Sequence, residues 1–149
     1  MISYMLSYDM EDIVVIDTSV VISALIGKNG PGREVLRRCL KSQFKPIISN
    51  TLFAEYQDVA IREKILEICP LNKDEIQELL NAFYSVCRWV QVYYLWRPNL
   101  KDENDNFIIE LALAGNARTI ITNNIRDFKN SELKFPELDI ITPEKLLMR

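Results

Sequence analysis

Ile13-Val14-Val15-Ile16 is a run of four β-branched residues between the acids Glu11-Asp12 and the polar trio Asp17-Thr18-Ser19. Such a run suits a strand buried on both faces of a parallel sheet. Apolar positions resume at Val20, Val21, Ala24 and Leu25, the spacing of a helix that starts near Ser19. Asp17 therefore stands where a strand hands over to a helix, the place where open α/β sheets bind ligands. The same residue type also serves as a plain helix cap, and this stretch alone does not separate the two readings.

Further along, Gly27 to Gly32 reads as a turn and Arg33 to Gln43 as a helix with Val35, Leu36, Cys39 and Leu40 on one side. Its other side carries Arg37, Arg38 and Lys41, a basic face suited to phosphate contacts or simply to water. Phe44 to Ile48 predicts a second strand, and Ser49-Asn50-Thr51 caps a helix bearing Glu55. Two amphipathic helices follow, Ala60 to Ile68 and Asn72 to Cys87, split by Pro70; Asn72 with Glu75 has the spacing of a capping box. Arg88 to Leu95 alternates enough for a third strand. A polar loop containing Asp102 and Asp105 then opens the apolar helix Phe107 to Ala114. Arg118 to Thr122 and Asp139 to Thr142 predict two more strands, with a polar connection between them and a last helix from Pro143 to Leu147.

The alternation of strands and helices predicts an α/β fold, a three-layer α/β/α sandwich around a doubly wound, mainly parallel sheet of about five strands. The 149 residues fit one domain, 1–149, with residues 60–87 a helical arm within it that could carry a homodimer or partner interface. With 48% apolar residues the chain needs no staple, and the three cysteines, Cys39, Cys69 and Cys87, read as small buried hydrophobes in a reducing compartment. Histidine is absent, which excludes Ser-His-Asp and Cys-His triads and His-ligated zinc. The net charge of −3 gives the whole chain no attraction for a polyanion, so a nucleic-acid site must be a local patch or be bridged by cations. Residues 1–12 lack the basic start of a signal peptide, and no apolar run is long enough for a membrane span. These features predict a soluble, cytoplasmic protein.

Five acids stand out by position: Asp17, Glu55, Asp102, Asp105 and Asp127, each on the carboxyl-terminal side of a predicted strand. In a parallel sheet those ends share one edge, so acids far apart in sequence converge. Clustered carboxylates raise each other's pKa, and a hard divalent cation, Mg²⁺ or Mn²⁺, removes that penalty. Such an ion also makes water nucleophilic toward phosphorus near neutral pH and stabilises the departing oxygen; the residue count leaves one and two ions both open. Thr18, Ser19, Thr122 and Asn124 would orient the ligands and water around it. A haloacid-dehalogenase site wants a second Asp where Ser19 stands, and a receiver domain wants its acidic pair after the first strand instead of before it, at Glu11-Asp12.

Val15-Ile16-Asp17-Thr18-Ser19-Val20, Ile48-Ser49-Asn50 leading to Glu55, Asp102-Glu103-Asn104-Asp105, Ile121-Thr122-Asn123-Asn124 with Asp127-Phe128, and Ile141-Thr142-Pro143-Glu144 together resemble a PIN-domain nuclease. The resemblance runs from Val14 to Leu147 and is strongest to the PIN-family toxins of prokaryotic toxin–antitoxin pairs. It implies a Mg²⁺- or Mn²⁺-dependent endoribonuclease with RNA as substrate and a cognate antitoxin as partner. Asp17, Glu55 and Asp105 would match the family's acidic, metal-binding core, and Asp102 an acid often found just before the third. Asn124 stands where many members have a fourth Asp, with Asp127 three residues on. A catalytically weak module that binds RNA or protein is the alternative.

Overall fold

The computed structural model describes residues 12–92 and 103–149, the latter without the side chains of residues 103–106. β1 (Ile13–Ile16) leads through Asp17 into α1 (Thr18–Ile26), which ends where the Gly27 N–H bonds the Ser23 carbonyl. Pro31 opens α2 (Pro31–Leu40), where its missing N–H costs nothing. A Cβ on Gly32 would lie 2.5 Å from Ser23 Oγ and 3.0 Å from the Val20 carbonyl oxygen, so glycine lets α2 close on α1. Ser42, at φ 65°, turns the chain into β2 (Lys45–Ile48), whose first N–H bonds the Asp12 carbonyl. Ser49 Oγ then accepts the Leu52 N–H at 3.2 Å and starts α3 (Asn50–Ala60).

α4 (Glu63–Ile68) and α5 (Lys73–Val86) follow, α5 behind the capping box of Asn72 and Glu75, closed by two bonds of 2.9 Å. Ala60 is buried as the end of α3, which leaves α4 shorter than the apolar spacing predicts. Along α5, Ile76, Leu80 and Phe83 are fully buried. β3 is confined to Arg88–Trp89, an exposed edge strand; of the rest of the predicted strand, Val90 to Val92 are not strand, and residues 93–95 lie outside the described residues. α6 (Glu103–Ala114), β4 (Thr119–Ile121), a 3₁₀ turn (Ile125–Phe128), α7 (Lys129–Lys134), β5 (Asp139–Ile141) and α8 (Pro143–Leu147) complete the chain. α7 replaces the predicted polar connection. Its sequence has no apolar period and only Ser131 is buried, so the helix depends on the buried Phe128 just before it.

All five strands are parallel, in the order β3-β2-β1-β4-β5, with β1 central. Connections from β1 to β3 move one way along the sheet and those from β3 to β5 the other. The right-handed rule therefore puts α1 to α5 on one face and α6 and α7 on the opposite face. This is the α/β sandwich the sequence predicts.

Burial pushes the Cys39 thiol and the Tyr56 and Tyr84 phenols up, and raises the Cys87 thiol from its ordinary 9.0 to about 12. Above pH 9 the unfolded chain ionises the Cys39 and Cys87 thiols while the folded one keeps them protonated, so the unfolded state holds fewer protons there. This stabilisation is fully present below the unfolded pKa and is lost as pH rises toward 12. Urea midpoints should be steady from roughly pH 7 to 8.5 and fall progressively above that.

Candidate active site

Asp17 occupies the capping position of α1, yet its side chain makes no cap. Its Oδ2 instead accepts the Ser19 hydroxyl at 2.8 Å and the Thr122 hydroxyl at 2.7 Å, and its N–H bonds the Ile121 carbonyl at 2.9 Å. The plain-cap reading of Asp17 therefore fails. Thr122 Oγ1 also accepts the Asn124 N–H at 3.0 Å, and Ser19 Oγ accepts the Asn123 N–H at 3.1 Å. The Asn123 amide donates to the Ser19 carbonyl at 3.1 Å, which clasps the turn after β4 to the first turn of α1. The outcome is a carboxylate only 8% exposed, aimed by two hydroxyls from opposite ends of the chain.

Thr122 is wholly buried, and replacing it by Val should leave the Asp17 oxygen short of one donor and the Asn124 N–H without its acceptor. Losing both should cost about 1–3 kcal/mol in urea denaturation, and Thr122→Ser should recover most of it.

Glu55, Asp105 and Asp127 belong to elements whose backbone starts on this side of the sheet. Glu55, half-buried, lies in the second turn of α3; beside it the fully buried Tyr56 donates its hydroxyl to the Ile16 carbonyl, fastening α3 to the end of β1. α6 leads into the start of the parallel strand β4, so its first turn, with the backbone of Asp105, lies toward the carboxyl edge. Asp102 and the side chain of Asp105 lie outside the described residues. Asp127 is exposed in the 3₁₀ turn after β4. Among the described residues no three Asp, Glu or Cys side chains gather closely enough to cage an ion.

Of the polar residues predicted around the acids, Ser19 and Thr122 touch Asp17. Asn124 bonds Thr122 through its main chain, and the buried Thr18 hydroxyl has no hydrogen-bond partner. Asn123 belongs to the same network, Tyr56 anchors α3 at the neighbouring Ile16 carbonyl, and sequence gives no signal that distinguishes Asn123 from its twin Asn124.

The basic face of α2 lies elsewhere. Arg37 and Arg38 bond Glu34 at 3.2 and 3.3 Å, and Arg37 also reaches the Lys28 carbonyl. Those bonds, from Arg37 and then Arg38, hold the Glu34 carboxyl below its usual range. Lys41 precedes the turn into Lys45, at the amino edge of the sheet, opposite Asp17. A cavity of about 310 Å³ opens at that edge beside Asp12 and Ser42, away from the acids.

The family model of the PIN domain matches residues 13–126, from β1 to the turn after β4. The chain belongs to the PIN-domain family. This is a family of nucleases, and the carboxyl edge just described is where its PIN fold gathers Asp17 and Thr122. Among solved structures, a chain in the crystal structure of VapBC2 from Rickettsia felis bound to a DNA fragment from their promoter has the same fold. It is 23% identical, with TM-score 0.55, over 87% of this chain and 98% of that one. No curated protein matches the chain by sequence. Among the described residues of this PIN domain, no helix is long and apolar enough to cross a membrane.

The donors at this edge suit a hard divalent ion. They are oxygens only, in a chain without histidine, and Thr18, the residue after the oriented Asp17, has a buried hydroxyl with no hydrogen-bond partner.

Proposed function

We propose that this PIN domain is a divalent-metal-dependent endoribonuclease, acting as the toxin of a toxin–antitoxin pair. The observation that carries the reading is the Asp17 carboxylate at the end of the central strand, with one oxygen fixed by the hydroxyls of Ser19 and Thr122. Asp17, Glu55 and Asp105 would hold Mg²⁺ or Mn²⁺, and Asp102 and Asp127 would be further acids of the site. Bound there, the ion supplies Lewis-acid charge to a phosphodiester and its leaving oxygen. The chain's own part is orientation: Ser19 and Thr122 keep the Asp17 oxygen from rotating, and Tyr56 fixes α3, hence Glu55, against the end of β1. Asn123 holds the turn that presents Thr122.

A cognate antitoxin is supported by the likeness to a chain of VapBC2, which was solved as a complex on DNA from its promoter. Family membership supports cleavage of nucleic acid, and RNA as the substrate is part of the proposal.

The test is incubation of purified protein with single-stranded and structured RNAs in EDTA, Mg²⁺ or Mn²⁺. Cutting with Mg²⁺ or Mn²⁺ and none in EDTA is the expected result. Intact RNA in all three, with folded protein, overturns the nuclease reading. It would favour the second one, a binding module without cleavage, for which the neutral, exposed Asn124 speaks.

A further inference from the structure

A groove of about 510 Å³ opens at the carboxyl edge of β2 and β3, beside the candidate active site. Ser49, Asn50 and Thr51 line one side, and Trp89, Gln91 and Val92 the other. The register from Val14↔Pro46, carried forward, sets Ser49 beside Asp17; that from Ile48↔Trp89 sets Val90 beside Ser49. With strands about 4.8 Å apart, the groove floor lies roughly 5 to 10 Å along the edge from Asp17.

Trp89 is 48% exposed, yet it is braced from behind: Phe53 packs against its ring at 5.3 Å, and Tyr84 packs against Phe53 at 4.8 Å. An indole fixed by other rings and still open on one side is a preorganised stacking surface. None of the residues lining the groove is charged, which suits neither a phosphate nor a metal ion. The α3 start beside it already has its Leu52 N–H bonded by Ser49. What the groove offers is a flat aromatic face next to the exposed carboxamides of Asn50 and Gln91. That combination recognises an unstacked nucleobase, its face by stacking and its edge by amide hydrogen bonds.

We infer that the groove at Trp89 receives one splayed-out base of a single-stranded RNA whose backbone passes Asp17. Trp89 is the stacking platform, and Asn50 and Gln91 are the groups that pair with the base edge. The inference rests on the nuclease reading above. It adds to it a specificity site that contributes to binding and takes no part in breaking the bond.

Trp89→Ala should weaken single-stranded RNA about 5- to 150-fold, raising KM with kcat unchanged at saturation, while Trp89→Phe keeps most of the affinity. A second measurement does not need the Ala variant to fold. Wild type without metal is titrated with adenosine 5′-monophosphate, and the indole N–H signals are followed by NMR. The chain has two tryptophans, and the signal of Trp89 is the one missing in Trp89→Phe. That signal should move on titration. A stationary Trp89 signal, or wild-type RNA affinity in a folded Trp89→Ala that still cuts RNA, overturns the base site and leaves the nuclease reading standing. A folded wild type that neither binds nor cuts RNA overturns both.

Discussion

Asp17→Asn is expected to abolish metal-dependent RNA cleavage, by roughly 10³-fold or more, while leaving the fold in place. The two halves of this result have separate causes. A carboxamide keeps an oxygen that can accept the Ser19 and Thr122 hydroxyls, so the clasp between α1 and the turn after β4 survives. It loses the charge, and with it the attraction for a divalent ion. Circular dichroism and the urea midpoint should match wild type within experimental scatter, and cleavage in Mg²⁺ or Mn²⁺ should vanish. Asp17→Ala makes a useful contrast: it strips the acceptor from both hydroxyls and should cost about 1–3 kcal/mol of stability as well. Wild-type cleavage by folded Asp17→Asn would remove this residue from the chemistry and the proposal with it.

Phe83→Ala should be the most damaging single truncation on α5, costing about 3–5 kcal/mol. Phe83 is 1% exposed, meets the Tyr56 ring edge-on at 6.0 Å and lies 6.3 Å from the Tyr84 ring. The cavity left behind would sit against the residue that ties α3 to the end of β1. Leu79, on the same helix and only partly buried, is the control and should cost less when truncated. Urea denaturation measures both. A loss at Phe83 below about 1 kcal/mol would mean that α5 lies on the core without being part of it.

The elements that sequence reveals are those whose local chemistry and tertiary role agree. β1 is a buried β-branched run, Ser49 is a cap residue used as a cap, and Asn72 with Glu75 has capping-box spacing and makes a capping box. Where tertiary forces decide alone, the reading stops short. α7 has no apolar period and hangs on Phe128; β3 covers only two residues in its described part, although the alternation runs further. At the candidate site, Asp17 is legible from its place between strand and helix. What it bonds to is not, because a hydroxyl 105 residues away becomes its neighbour only through the β1–β4 pairing. Tyr56 sits at a spacing that says only core; its hydroxyl finds the Ile16 carbonyl through the approach of α3 to the sheet. The pairing of Arg37 and Arg38 is visible in principle, since Glu34 stands three and four positions before them on one helix face. Asp102 and the side chain of Asp105 lie outside the described residues.

The central place of β1, flanked by a strand made soon after it and another made much later, gives the molecule a history during synthesis. Asp17 is translated 105 residues before the Thr122 hydroxyl that will aim it. At ordinary elongation rates that interval lasts roughly 5 to 20 s. Once β2 is made β1 can pair with it, but its other neighbour is still missing, so the nascent chain holds an acid with only its local Ser19 partner in place. Under the proposed nuclease reading, the nascent chain would gain its oriented Asp17 only when β4 pairs with β1, and a chain ended before Thr122 is expected to lack the proposed activity.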